Sequence, residues 1–422
     1  MIVYNLFPLL AGPFSQWQKH FARAAGMGFD WVFVNPIQRL GASGSLYSLA
    51  DPFGVNPVLL DSAGAASPEE QVRQMLAQAR DAGLKVMIDL VLNHCAIDSP
   101  LTRLHPDWFV RERDGRIANA SCYQNRQKVV WKDLAQFDHA HTRDPEGLYQ
   151  HCLALAEYLL ALGFEGFRCD AAYQVPRAFW HRLIHEVKSR RPHACFAAET
   201  LGCTADQTRD TARAGFGWVF NSSKYWNFHD WWLIEQYNLV REAAASISFP
   251  ESHDTPRLCA EFHGNLDGIK QRYLFAALFS AGVMIPMGFE FGFRKPLHVI
   301  HSLPADWEET GLDLTAYIAK VNAIKKSHQV FCEESPTNIL PCQNPNVLLM
   351  WKASASRKGE ALLILNKDPR NHQEIYTDHF RHFIQSGAPL RDVSPEYPLE
   401  YVHEPFHYGL RPGQGIVLVT SR

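Results

Sequence analysis

The sequence predicts an α/β protein: a (β/α)8 (TIM) barrel with a subdomain inserted after its third strand and an antiparallel β-domain at its C-terminus. Three observations predict it. Continuous apolar runs alternate with amphipathic stretches of helical period, giving eight strand–helix units in roughly 330 residues, a length that suits such a barrel with insertions. Several of the runs stop on an acid, as in Val86-Met87-Ile88-Asp89, Gly166-Phe167-Arg168-Cys169-Asp170 and Cys195-Phe196-Ala197-Ala198-Glu199. Beyond residue 331 the alternation ceases, and apolar runs are separated only by turn residues. The expected division is a barrel over 1–94 and 146–330, an inserted subdomain over 95–145, and a C-terminal β-sandwich over 331–422.

Each element has a local reason. Ile2 to Phe7 reads as the first strand. Ser15 to Met27 carries Trp17, Phe21 and Ala24 at helical spacing, and Gly28 ends it. Trp31-Val32-Phe33-Val34 is apolar throughout, as expected of a parallel strand covered on both faces. A polar loop follows over 41–57, with Tyr47 and Asp51. Ser67-Pro68-Glu69-Glu70 has the residues of a capping box with proline in the first turn, and Gly83 closes that helix. Lys85 to Leu90 is the third strand. Residues 95–145 then break the rhythm with prolines, aromatics and little periodicity, and so long a stretch is usually functional. Helices over 148–162 and 177–188 flank the strand that ends at Asp170. Thr204 and Gln207 form a second capping-box pair. Strands are expected at 217–221, 247–249 and 282–287, and helices at 271–280 and 314–327. Val347 to Trp351, Ala361 to Leu365 and Ile416 to Val419 are the strands of the last domain.

Composition narrows the function. The 422 residues are 46% hydrophobic and 20% charged with a formal net charge of −3, so neither nucleic acid nor an anionic membrane is an expected partner. No apolar run approaches the roughly 20 residues of a membrane span. The nine cysteines are scattered without a CxxC pair, which argues against zinc and for free thiols in a reducing compartment. The N-terminus has no basic region of the signal-peptide kind, and a cytoplasmic location is expected.

The acids carry the chemistry. In a retaining glycosidase one carboxylate attacks the sugar and a second, protonated carboxyl group supports the leaving oxygen. Arg168 lies two residues before Asp170, so both side chains point to one face of the strand, where a cation favours the ionised carboxylate. Glu199 on the next strand is the candidate acid, its pKa raised by a closed, carboxylate-rich pocket. Asp254 can hold sugar hydroxyls and assist ring distortion. Asp89 reads as an internal partner of Arg168. Glu251 and Glu290 read as supporting groups, and the aromatic run 225–232 as core or loop packing, with Trp226 or Trp231 as a platform for a distal sugar the alternative.

Four stretches in order, Asp89-Leu90-Val91-Leu92-Asn93-His94, Gly166 to Asp170, Ala198-Glu199 and Ser252-His253-Asp254, resemble the four short sequence regions of the α-amylase superfamily (glycoside hydrolase family 13). Pro176 to Trp180 and His105 to Phe109 are similar to the subfamily of maltosyltransferases that use maltose 1-phosphate. The resemblance implies Asp170 as nucleophile, Glu199 as acid/base and Asp254 as transition-state stabiliser. It implies that Tyr47, His94, Arg168 and His253 surround the sugar at subsite −1. Asn93 matches a residue that often binds calcium in amylases; the chemistry itself requires no cofactor. After Asp170 the chain reads Ala171-Ala172-Tyr173-Gln174, where many amylases carry a Lys-His pair on the acceptor side. The expected activity is that of a retaining glycosidase on α-1,4-linked glucosides, with malto-oligosaccharides as substrate. The alternatives are a glucan transglycosylase or maltosyltransferase, and a catalytically silent carbohydrate-binding homologue.

Overall fold

The computed structural model describes residues 1–61, 66–124, 127–356 and 359–420. Eight parallel strands close into a barrel: β1 (Ile2–Leu6), β2 (Trp31–Val34), β3 (Lys85–Leu90), β4 (Gly166–Cys169), β5 (Cys195–Glu199), β6 (Trp218–Phe220), β7 (Ala245–Ser248) and β8 (Gly282–Pro286). Each pairs with its sequence neighbours, and β8 closes on β1 with Ile2 opposite Val283. The interior is filled by Val3, Phe33, Met87, Ala197, Phe220, Ile247, Phe249 and Met284, while alternate residues such as Tyr4, Val32 and Ile88 face the helices. That two-sided burial is why the strands read as unbroken apolar runs.

The helices follow their caps. In Pro68–Asp81 the Ser67 side chain accepts from the Glu70 N–H at 3.2 Å, but Glu70 turns to Gln74 Nε2 and the box is only half formed. Thr204 and Gln207 make the full reciprocal pair at the start of Ala205–Ala212. The helix expected from residue 148 begins earlier, at Pro145, because Asp144 caps it through the Gly147 N–H at 2.9 Å.

Two polar stretches contain strands that periodicity does not reveal. Leu49–Val55 pairs with Gln38–Leu40 across an irregular register, its strand character masked by Pro52 and Gly54. After β3, His94–Ala96, Gln127–Gln136 and Asn119–Gln124 form a three-stranded antiparallel sheet. Much of the Gln127–Gln136 strand is exposed, so it lacks an apolar alternation.

At the C-terminus, Thr337–Leu340, Val347–Ala353, Glu360–Asn366, Gly415–Thr420 and Leu390–Asp392 form an antiparallel sheet in that order, beside a hairpin-like pair of Gln373–Thr377 and Phe406–Leu410. Alternation divides its apolar residues. Leu348, Met350, Leu363, Leu365 and Val417 join the barrel's core; Leu349, Trp351, Leu362, Ile364 and Leu418 form a separate core with Ile375 and Phe406. Among the described residues no helix is long and apolar enough to cross a membrane.

Candidate active site

The C-terminal ends of the strands bring the acids together around one guanidinium. Asp89 of β3 and Arg168 of β4 stand opposite each other in register. Arg168 Nη1 donates to Asp89 Oδ1 at 2.8 Å and to Asp170 Oδ1 at 2.6 Å, and Nη2 lies 3.8 Å from Asp254 Oδ2. Arg168 and Asp89 are buried, whereas the side chain of Asp254 is 46% exposed on the open side of the cleft.

Glu199 ends β5 and is held by backbone. Its Oε1 accepts from the Leu201 N–H at 2.8 Å and its Oε2 from the Ala171 N–H at 3.1 Å. Ala171 has φ 42° and ψ 41°, a left-handed conformation unusual for alanine. The strained turn immediately after Asp170 thus aims an N–H at the carboxylate of Glu199, as functional sites often do.

Tyr47 and His253 complete the wall. Tyr47 Oη donates to Asp89 Oδ2 at 2.7 Å, lies 2.7 Å from His253 Nε2 and accepts from Asn35 Nδ2 at 2.9 Å. The two rings are nearly parallel, with an interplanar angle of 8°. His253 Nε2 is also 3.0 Å from Asp254 Oδ2. His94 Nε2 contacts the Tyr47 carbonyl oxygen at 3.1 Å. Every expected cleft residue is therefore linked, directly or through one neighbour, to the Arg168 cluster, except Glu199, which is held by main chain.

The comparisons with known proteins follow this geometry. A family model described as glycogen debranching enzyme, glucanotransferase domain, matches residues 2–114. An α-1,4-glucan:maltose-1-phosphate maltosyltransferase of Burkholderia pseudomallei is 26% identical over 328 residues, covering 75% of this chain and 28% of the relative. Maltosyltransferase 1 of Streptomyces coelicolor is 25% identical, covering 96% and 63%. The chain thus spans between about a quarter and somewhat under two-thirds of these relatives. In fold, it matches an α-amylase from Lactobacillus plantarum with a TM-score of 0.78 at 20% identity, covering 100% of this chain and 98% of that one. It matches a Geobacillus thermoleovorans α-amylase complexed with acarbose with a TM-score of 0.79 at 13% identity, covering 99% and 98%.

In sequence and in fold the chain is similar to members of the α-amylase superfamily. Within its cluster the carboxyl groups are electrostatically unequal. Burial, aided by Asp170 and Asp254 and opposed by Arg168, raises Glu199 to about 7. Burial likewise raises Asp89 to about 6, with Asp170 adding to it and Arg168 opposing. Desolvation at the cleft wall works against ionisation of Asp254, yet His253 and Arg168 outweigh it and hold the group at about 2. Burial disfavours the charged form of His94 and lowers it, with Asp170 opposing. A carboxyl group raised to about 7, a carboxylate held at about 2 and an arginine-paired carboxylate therefore stand together, an arrangement able to give a proton and to face developing positive charge.

Trp226 follows the packing reading: it is 2% exposed and packs on Phe228 and Phe275 at 5.2 and 4.9 Å. Trp231, by contrast, is 65% exposed. Glu251 pairs with Arg257 at 2.8 Å, and Glu290 accepts from Tyr4 Oη at 2.7 Å and Arg23 Nε at 2.9 Å, so both brace the barrel. Asn93 Nδ2 donates to Gln174 Oε1 at 3.0 Å, and Gln174 Nε2 donates to the Ser121 carbonyl at 3.2 Å. Among the described residues no group of three or more His, Cys, Asp or Glu side chains is placed to hold a metal. Sequence reasoning assigned no role to Asn35 or Gln174. Asn35 does follow an apolar strand as the acids do, and that position was the available signal.

Proposed function

We propose that the chain is a retaining enzyme acting on α-1,4-linked glucosides, with Asp170 as nucleophile, Glu199 as acid/base and Asp254 as transition-state stabiliser. One observation carries the reading: Asp170 is 2.6 Å from the Arg168 guanidinium, while Glu199 is raised to about 7 by burial. Asp170 attacks the anomeric carbon, and Glu199 gives its proton to the departing oxygen. A covalent glycosyl-enzyme forms, and Glu199, now a base, activates the acceptor that releases the sugar. Arg168 orients Asp170. Tyr47, His94 and His253 line the subsite for the sugar being transferred. Malto-oligosaccharide is the substrate class that the relatives named as α-1,4-glucan maltosyltransferases support. Cys95, Cys152, Cys169 and Cys259 are buried free thiols, which supports a cytoplasmic location.

The test is Glu199→Gln incubated with α-maltosyl fluoride. Fluoride leaves without acid assistance, while loss of the base stalls the second step. A maltosyl adduct on the peptide containing Asp170 is expected by mass spectrometry; an adduct on another residue, or none, sinks the assignment.

The second reading, transfer rather than hydrolysis, is favoured by the maltosyltransferase names of the sequence relatives. Tyr173 and Gln174 stand where the acceptor-side Lys-His pair of many amylases falls, which alters the acceptor side in either case. Incubation with malto-oligosaccharides, with and without maltose 1-phosphate, separates the two. Longer products indicate transfer, and shortened products alone indicate hydrolysis.

A further inference from the structure

A cavity of about 400 Å³ lies between the helix Leu266–Phe279 and the C-terminal β-domain, apart from the acidic cleft. Its walls are built rather than accidental. The turn at Gly413 has φ 61°, and a Cβ there would fall 2.5 Å from the Asp267 carbonyl oxygen, so the domain's turn is pressed onto the helix start. Asn265 Nδ2 reaches the Pro369 carbonyl at 2.8 Å across the same seam.

Two tyrosines line the cavity, each with a cation on its ring. Arg411 stands 4.0 Å from the Tyr397 ring centroid and Lys270 5.2 Å from that of Tyr317. Lys270 is also paired with Glu396 at 2.6 Å. Tyr397 is 54% exposed and has φ 50°, an outlier for a bulky residue. Such strain persists where surrounding structure enforces it, and it marks functional positions.

The charge of the cavity selects its ligand. Lys270 and Arg411 are balanced by Asp267 and Glu396, and His372 adds a ring that both donates and accepts. An anion would meet two carboxylates, and a cation would meet an ammonium and a guanidinium. A neutral polyol meets acceptors and donors together, with an aromatic ring for its apolar face. We propose that this cavity is a second carbohydrate site, which holds a glucan chain away from the catalytic cleft. The inference rests on the α-glucan reading above.

The experiment uses the full chain carrying Asp170→Asn, so that nothing is turned over, and reads retardation in gels containing amylopectin. Adding Tyr397→Asn removes the ring but keeps a residue that tolerates positive φ. It should weaken retention roughly five- to tenfold, and Arg411→Ala should weaken it in the same direction. Retention unchanged by both substitutions overturns the second site, while turnover of maltotriose by the unsubstituted protein leaves the α-glucan reading standing. No turnover of any α-glucoside and no retention overturns both. A thermal shift with inorganic phosphate that depends on Arg411, with no response to maltoheptaose, shows an anion site and also overturns the inference.

Discussion

The two ends of the barrel bury charge in opposite ways. At the C-terminal end four carboxyl groups, Asp89, Asp170, Glu199 and Asp254, surround the single guanidinium of Arg168. At the N-terminal end Lys325 and Lys352 lie buried at the seam with the C-terminal domain. Lys325 Nζ donates to the carbonyls of Ala277, Ser280 and Phe331, and Lys352 Nζ to that of Phe279. Glu334 joins them, accepting from the Ser246 and Ala281 N–H groups at 2.7 and 3.1 Å. The seam surrounds its amines with main-chain carbonyls, and burial lowers Lys325 to about 7 and Lys352 to about 8. The cleft gathers its acids around one arginine, and burial raises Glu199 to about 7 against the pull of Arg168. The same fold thus buries bases among carbonyls at one end and carboxyl groups around an arginine at the other, in line with the division of a barrel into a stability face and a catalytic face.

The sharpest way to break this comparison is at Asp170. Asp170→Asn keeps the shape but removes the proposed nucleophile, and kcat should fall at least on the order of 10⁴-fold with little change in the urea midpoint. Next in size is the seam. Lys325→Met leaves three buried carbonyls without their donor and should cost about 3–5 kcal/mol by urea denaturation, while activity at 25 °C survives. A midpoint equal to that of the unsubstituted protein would show that the seam is not structural.

Glu199 comes third, through its pH dependence. As the proposed acid it must be protonated, so kcat/KM should decline as pH rises through about 7, the value to which burial raises it. The stability sign follows from the same shift. A carboxyl raised in the folded state contributes stability below its unfolded value, and this is lost as pH climbs from about 4.5 to about 7. Glu199→Gln should therefore gain on the order of 1–3 kcal/mol over the unsubstituted protein at pH 8, the gain vanishing near pH 4. A flat difference across that range would place the proton elsewhere.

Much of the cleft was legible because strand ends are local. An apolar run that stops on an acid needs no tertiary knowledge to be noticed, and Arg168 two residues before Asp170 fixes a shared face. The seam was illegible for the opposite reason. Lys325 sits beside Lys326 in a helix, and both spell surface charge, yet only Lys326 is exposed. Which one turns inward depends on carbonyls from residues 277, 280 and 331 that only the folded chain assembles. The inserted sheet was hidden in the same manner, since its long strand is half exposed and stabilised by pairing rather than by a buried face. The C-terminal sheet read clearly as strands, but its two-sided burial depends on what docks against it.

Gln174 is where the cleft borrows the seam's method, and it gives the smallest and most discriminating prediction. Its amide accepts from Asn93 at the end of β3 and donates to the Ser121 carbonyl of the inserted sheet, so one neutral side chain pins that sheet to the barrel. Gln174→Ala removes both bonds and should cost roughly 1–2 kcal/mol. KM should rise several-fold while the alkaline limb set by Glu199 stays in place. Gln174→Glu preserves the acceptor for Asn93 but sets a carboxylate against the Ser121 carbonyl. It should therefore be worse than alanine above neutral pH, and recover as the new group is protonated at low pH. If both variants instead moved the alkaline limb, the inserted sheet would be tuning the proton on Glu199. The contrast between a carbonyl-held seam and a carboxyl-rich cleft would then extend through Gln174 into the insertion.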